Sequence, residues 1–132
     1  MASIFTRIVN GEIPCHKILE NDKFLAFLDV FPLVRGHILV IPKIETDYFF
    51  DISDTDLGEM MVFSKQVAKA QKAAISCKRI GVAVIGLEVP HAHIHLVPMN
   101  TANDLNFTQP KLQLPQDELA QVAERIRSKF PL

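Results

Sequence analysis

A chain of 132 residues, 48% hydrophobic and 22% charged, can bury one core and is too short for two ordinary domains, so residues 1–132 are read as a single domain. A formal net charge of −1 without a basic stripe excludes a coat for long nucleic acid, and no apolar run approaches the roughly 20 residues of a membrane helix. The segment Met1-Ala2-Ser3-Ile4-Phe5-Thr6-Arg7 lacks the features of a secretory signal, and the isolated Cys15 and Cys77 suggest neither a disulfide framework nor a metal knuckle, so the expected location is the cytoplasm.

Ser3 is placed to cap a helix of two turns in which Ile4, Phe5, Ile8 and Val9 recur at helical spacing, with Asn10-Gly11 as its stop. A hairpin follows: Ile18 to Glu20, a turn at Asn21-Asp22, then Lys23 to Asp29, with Phe24, Ala26 and Leu28 on one face and Leu25, Phe27 and Asp29 on the other. After a turn through Phe31 to Gly36, His37 to Ile41 is a β-branched apolar run ended by Pro42, the pattern of a central strand. Ser53 with Asp54 and Asp56 starts a long helix, and Leu57, Met60, Met61, Ser64, Val67, Ala68 and Ile75 mark the face expected to cover the sheet. Arg79 to Gly86 reads as a fourth strand, turning through Gly86-Leu87-Glu88-Val89 into an antiparallel fifth from Pro90 to Pro98. A polar, irregular stretch leads to Leu114, and a last helix opens at Pro115 with the stripe Leu119, Val122, Ala123, Ile126 and Phe130. The expected fold is therefore α+β: a central antiparallel sheet of about five strands, one long helix across it, short N-terminal and C-terminal helices, and the helices on one side.

Chemistry concentrates in Pro90-His91-Ala92-His93-Ile94-His95-Leu96-Val97-Pro98, which holds three of the five histidines. Extended backbone alternates its side chains, so His91, His93 and His95 share one face while Ala92, Ile94 and Leu96 share the other and can be buried. Metal binding by all three is opposed by geometry, because residues i and i+4 of a strand lie roughly 13 Å apart. A third ligand would have to come from elsewhere, and His16 and His37 are distant in sequence. Nucleophilic catalysis suits the spacing better, since the middle histidine has a neighbour on each side. A neutral imidazole attacks phosphorus well once its other nitrogen is tied by a hydrogen bond, and flanking imidazoles can bind phosphate oxygens. Three histidines on an idle solvent-exposed face are the bland alternative, and strict alternation between two prolines argues against it.

The run His91-Ala92-His93-Ile94-His95-Leu96-Val97-Pro98 resembles the signature of the histidine-triad (HIT) family of nucleotide hydrolases and transferases. Ile4-Phe5-Thr6-Arg7-Ile8, Glu12-Ile13-Pro14, Phe27-Leu28-Asp29 and Gly36 to Lys43 match family segments in order. The resemblance implies a HIT-like fold, a homodimer joining the two sheets, and a purine nucleotide substrate. It implies that His93 is the nucleophile at the α-phosphorus, that His95 contacts the phosphate, that His91 orients the site and that His37 supports the triad. It further implies that Asp29 accepts the ribose hydroxyls and that Phe5, Ile8, Phe27 and Val30 form the base slot. No cofactor and no metal is expected.

The chain departs from the family pattern in several places, among them a tail without the tryptophan of members whose C-terminal Trp-Pro segment reaches the partner's site. Leu87 and Glu88 occupy the phosphate-side turn where members often carry glutamine, and Leu87 offers no side-chain donor. Ser3, Thr6 and Glu45 stand where zinc-bearing members have two cysteines and a histidine, which argues against a structural zinc. The expected activity is cleavage of a substituted purine nucleoside monophosphate, phosphoramidate in type, through a nucleotidyl-histidine intermediate. The alternatives are a dinucleoside polyphosphate hydrolase, a weakly catalytic purine-nucleotide-binding module and, last, a metal-dependent hydrolase.

Overall fold

The computed structural model describes residues 2–131, so Met1 of the N-terminal segment lies outside it. Five antiparallel strands, β1 (Lys17–Glu20), β2 (Phe24–Leu28), β3 (Ile38–Pro42), β4 (Arg79–Ala83) and β5 (Ile94–Met99), form one sheet in the order β1-β2-β3-β5-β4. Three helices accompany it: α1 (Ile4–Val9), α2 (Asp54–Ala74) and α3 (Gln116–Arg127). Among the described residues no helix is long and apolar enough to cross a membrane.

β2 and β3 are buried along their whole length because both faces of the sheet are covered. On one face Phe24, Ala26, Leu28, Ile38, Val40, Ala92, Ile94 and Leu96 pack with α2 and α3 in the main core. On the other, Leu25, Phe27, Leu39 and Ile41 pack with Phe5 of α1. The expectation of helices on one side is corrected here. α1 is only two turns, and its Phe5 has apolar partners on the face opposite α2.

Ser3 and Ser53 cap α1 and α2 by accepting the amides of Thr6 and Asp56. The buried stripe of α2 is Met60, Phe63, Ser64, Val67, Ala70 and Gln71, whereas Met61 points outward at 44% exposure. Met60, Phe63, Val67 and Ala70 recur at three and four residues, and Met61 is rotated about 100° from that line. Gln71 was not expected in the core. Its amide donates to the carbonyls of Gly36 (2.8 Å) and Leu96 (2.9 Å), tying the long helix to the turn before β3 and to β5. β4 ends at Ala83 rather than Gly86 and lies at the sheet edge. Phe130 lies beyond the end of α3 and packs partly buried against the main core.

Candidate active site

β5 begins at Ile94, not Pro90, so His91 and His93 precede the strand in irregular backbone. The ladder from β3 stops at Val40 opposite Ile94. Beyond that point two isolated bonds replace it: the Nε2–H of His91 donates to the Pro42 carbonyl (2.8 Å), and the Ala92 amide donates to the Thr46 carbonyl (2.6 Å). The alternation nevertheless persists. Ala92, Ile94 and Leu96 enter the main core, while His91 and His93 meet Phe5 edge-on at 5.7 and 5.0 Å and His93 meets His95 at 4.8 Å.

Hydrogen bonds define the proton on each ring. A carbonyl only accepts, so His91 carries its proton on Nε2, and its Nδ1 accepts from the Ser3 hydroxyl at 2.8 Å. His93 donates from Nδ1 to the carbonyl of His91 (2.8 Å), which leaves Nε2 with a lone pair and no partner among the described residues. His37 accepts the Leu33 amide on Nδ1 (3.1 Å), so its Nε2–H donates to Nδ1 of His95 (3.0 Å). His95 in turn keeps its proton on Nε2. A chain of donors thus runs from the Leu33 backbone through His37 to His95, whose ring centre lies 4.8 Å from that of His93.

Burial holds all four rings neutral. It pushes His37 and His95 down to about 3, with repulsion from neighbouring histidines adding to the effect. His93 and His91 are lowered for the same first reason, partly opposed by the carbonyls that accept their protons. Asp29 closes β2, its Oδ1 accepts the Phe31 amide (2.9 Å), and its Oδ2 lies 3.8 Å from His37 Nε2. Burial raises its carboxyl.

These groups face a cavity of about 460 Å³, within the size range of small-ligand sites. Phe5, Ile8, Phe27, Asp29, Val30, His37, Leu87, Glu88, His93 and His95 all line it. His91 does not; it stands behind, fully buried. Leu87 is 88% exposed on the rim. Gly86, on the cavity wall, has a φ of 72°, a left-handed backbone that favours glycine. The fifth histidine, His16, bonds Gln116 away from this cavity.

Sequence reading missed Cys15, Phe107 and Lys111 in the cavity wall. Phe107 packs edge-on against His95 at 4.7 Å, and the ammonium of Lys111 lies 5.3 Å from the Phe107 ring centre. A lone aromatic within the polar stretch after β5 was the available signal.

Two donor sets bear on metal binding. Asp29, His37 and His95 bring ligand atoms within 4.8 Å of one another, so the fold supplies the distant third ligand that sequence spacing did not. His37 is nevertheless ill suited, because the Leu33 amide occupies its Nδ1 lone pair and its proton therefore sits on Nε2, the atom facing His95. The other set is Ser3, Thr6, Glu45 and His91. There the Glu45 carboxylate accepts the Thr6 hydroxyl (2.6 Å) and the Ser3 amide (2.7 Å), which hold it at about 2. Two hydroxyls in place of thiolates make a hydrogen-bonded clasp that joins α1 to His91, and they do not suit zinc.

Residues 10–102 match the family model described as HIT domain. The chain is 33% identical to an adenosine 5'-monophosphoramidase of Schizosaccharomyces pombe over 98% of this chain and 99% of that one. It is 32% identical to the adenosine 5'-monophosphoramidase of Saccharomyces cerevisiae, covering 98% and 83%. Among solved structures it resembles a HIT-like protein involved in cell-cycle regulation from Bartonella henselae, with a TM-score of 0.84 and 28% identity over 97% and 96% of the chains. A zinc-bound histidine triad family protein from Mycobacterium smegmatis gives a TM-score of 0.82 at 27% identity, covering 98% and 93%.

Proposed function

The chain belongs to the HIT family, and from that premise we propose that it hydrolyses purine nucleoside phosphoramidates at the α-phosphorus, with His93 as nucleophile. The observation that carries this reading is the bond from His93 Nδ1 to the His91 carbonyl, which leaves the Nε2 lone pair free on a ring whose centre lies 4.8 Å from that of His95. Attack by that lone pair forms a P–N bond to His93 and breaks the P–N bond to the substituent, and the amine departs with a proton from water at the cavity mouth. Positive charge develops on His93, and the His91 carbonyl accepting its Nδ1–H stabilises it. The Nε2–H of His95, aligned by His37, donates to a phosphate oxygen as charge builds there. Water then attacks phosphorus and releases the monophosphate, restoring neutral His93. Asp29 accepts the ribose hydroxyls, and Phe5, Ile8, Phe27 and Val30 enclose the base. The identity to two adenosine 5'-monophosphoramidases supports this substrate class.

The reading extends to a homodimer that continues the sheet across β4, an edge strand that carries the exposed Val82 and is followed by the exposed Val84 and Ile85. The unpaired Cys15 and Cys77 support a reducing compartment, the cytoplasm. Incubation with adenosine 5'-phosphoramidate tests the function. Wild type releases the monophosphate without added metal and His93→Ala does not. Equal rates for the two proteins would end the proposal.

A further inference from the structure

After β5 the chain makes a short 3₁₀ turn (Ala102–Leu105) and crosses the cavity mouth in irregular backbone. It is anchored there by two independent features. The Leu112 amide donates to the Pro32 carbonyl at 2.8 Å, and the half-buried Phe107 ring packs on His95 at 4.7 Å and on His37 at 6.3 Å. Lys111 lies between those anchors. Its ammonium is over the Phe107 ring, makes one long contact to the Phe107 carbonyl (3.5 Å), and forms no ion pair among the described residues.

The charge inventory of the cavity gives this placement a consequence. Asp29 and Glu88 are its acidic wall residues, its histidines are neutral, and Lys111 is its only lysine or arginine. Leu87, also in the cavity wall, offers no side-chain hydrogen bond. The neutral N–H of His95 is adequate for the α-phosphate itself. A second anionic group, on the far side of the bond that breaks, has one cation to meet. An ammonium held over an aromatic face is a compact point charge with three donors, and here it forms no ion pair among the described residues and only one long contact to a carbonyl.

We propose that Lys111 selects substrates whose α-phosphate substituent carries its own negative charge, a carboxylate or a further phosphate. This rests on the hydrolase reading above. When His93 attacks, the bond from phosphorus to the substituent breaks and its electron pair leaves with the substituent. Lys111 holds the departing anion and transfers no proton. The competing role for Lys111 is to keep Asp29 ionised, which would affect every ribonucleotide equally.

Two adenosine phosphoramidates separate these roles, one made with glycine and one with glycinamide, which differ in charge and hardly in shape. Lys111 is exposed, so Lys111→Gln leaves the core intact. That variant should lose about tenfold in kcat/KM on the glycine substrate and less than about threefold on the glycinamide one, with Lys111→Arg restoring most of the loss. An equal loss on the glycine, glycinamide and diadenosine tetraphosphate substrates, or a loss on neither of the two anionic ones, overturns the proposal. A diadenosine tetraphosphate arm shows which anion is read: a selective loss there assigns phosphate, and a selective loss on the glycine substrate assigns carboxylate. If wild type turns over none of these compounds, the hydrolase reading fails and binding decides the charge reading. ATP should then bind about tenfold more tightly than AMP to wild type and no more tightly to Lys111→Gln. Equal binding of both nucleotides to wild type, or binding of neither, overturns it.

Discussion

Lowering the pH from 7.5 to 5 should destabilise this protein well before its carboxylates titrate. In the folded state His37 and His95 accept protons only near 3, against an ordinary histidine value of about 6.5. As pH falls below 6.5 the unfolded chain binds protons at these positions and the folded chain does not, so stability falls with pH across that window. At pH 5 the loss is on the order of 2 kcal/mol for each ring, or about 4 kcal/mol for the pair. Their 3.0 Å contact does not spoil the sum, because both remain neutral in the folded state throughout this range. His91 and His93 are shifted in the same direction and add to the loss, while the raised Asp29 opposes it. For a chain of this length about 4 kcal/mol corresponds to a fall in Tm of roughly 15 °C. Thermal denaturation at constant ionic strength, followed by circular dichroism at pH 7.5, 6.5, 5.5 and 5, measures it. A Tm that stays flat to pH 5 would refute the assignment of neutral, desolvated rings and with it the proton positions deduced from their hydrogen bonds.

Ser3→Ala removes the hydroxyl that donates to His91 Nδ1 while leaving Thr6 bound to Glu45. It should cost about 1–3 kcal/mol in chemical denaturation and lower kcat more than it weakens AMP binding. Asp29→Asn replaces two equivalent acceptors with one acceptor and one donor group, so affinity for AMP should fall about tenfold or more. Its affinity for 2′,3′-dideoxy-AMP should barely change, as calorimetry would show. Gln71→Leu abandons the bonds to the Gly36 and Leu96 carbonyls. A loss of about 1–3 kcal/mol is expected in urea melts, with faster amide exchange at His37, just before β3, than within the strand.

Much of the fold was legible because local rules and tertiary packing agree. Ser3 and Ser53 cap as their position suggests, Asn21-Asp22 turns the hairpin, and the alternation read in β2 and the apolar run read in β3 became strands buried on both faces. The face of α2 was read less well. Met61 is apolar and lies outside, while Gln71 is polar and lies in the core because it finds two carbonyls there. Neither is visible in a hydropathy pattern, which does not know where hydrogen-bond partners will be.

The sequence by itself determined the chemistry: three alternating histidines with an apolar reverse side, an aspartate at a strand end, and no matching set of metal-binding cysteines. Only the tertiary structure decided how that chemistry is held. His37 meets His95 across 58 positions because β3 pairs with β5, with Leu39 opposite His95. α1 crosses to the far face, where Ser3 reaches His91 across 88 positions. Lys111 arrives on a stretch with no periodicity, held by one backbone bond and one ring contact. Side-chain alternation follows from backbone geometry and can be read locally, whereas the proton on each imidazole depends on which carbonyl, amide or hydroxyl faces it, and folding brings those partners from distant positions.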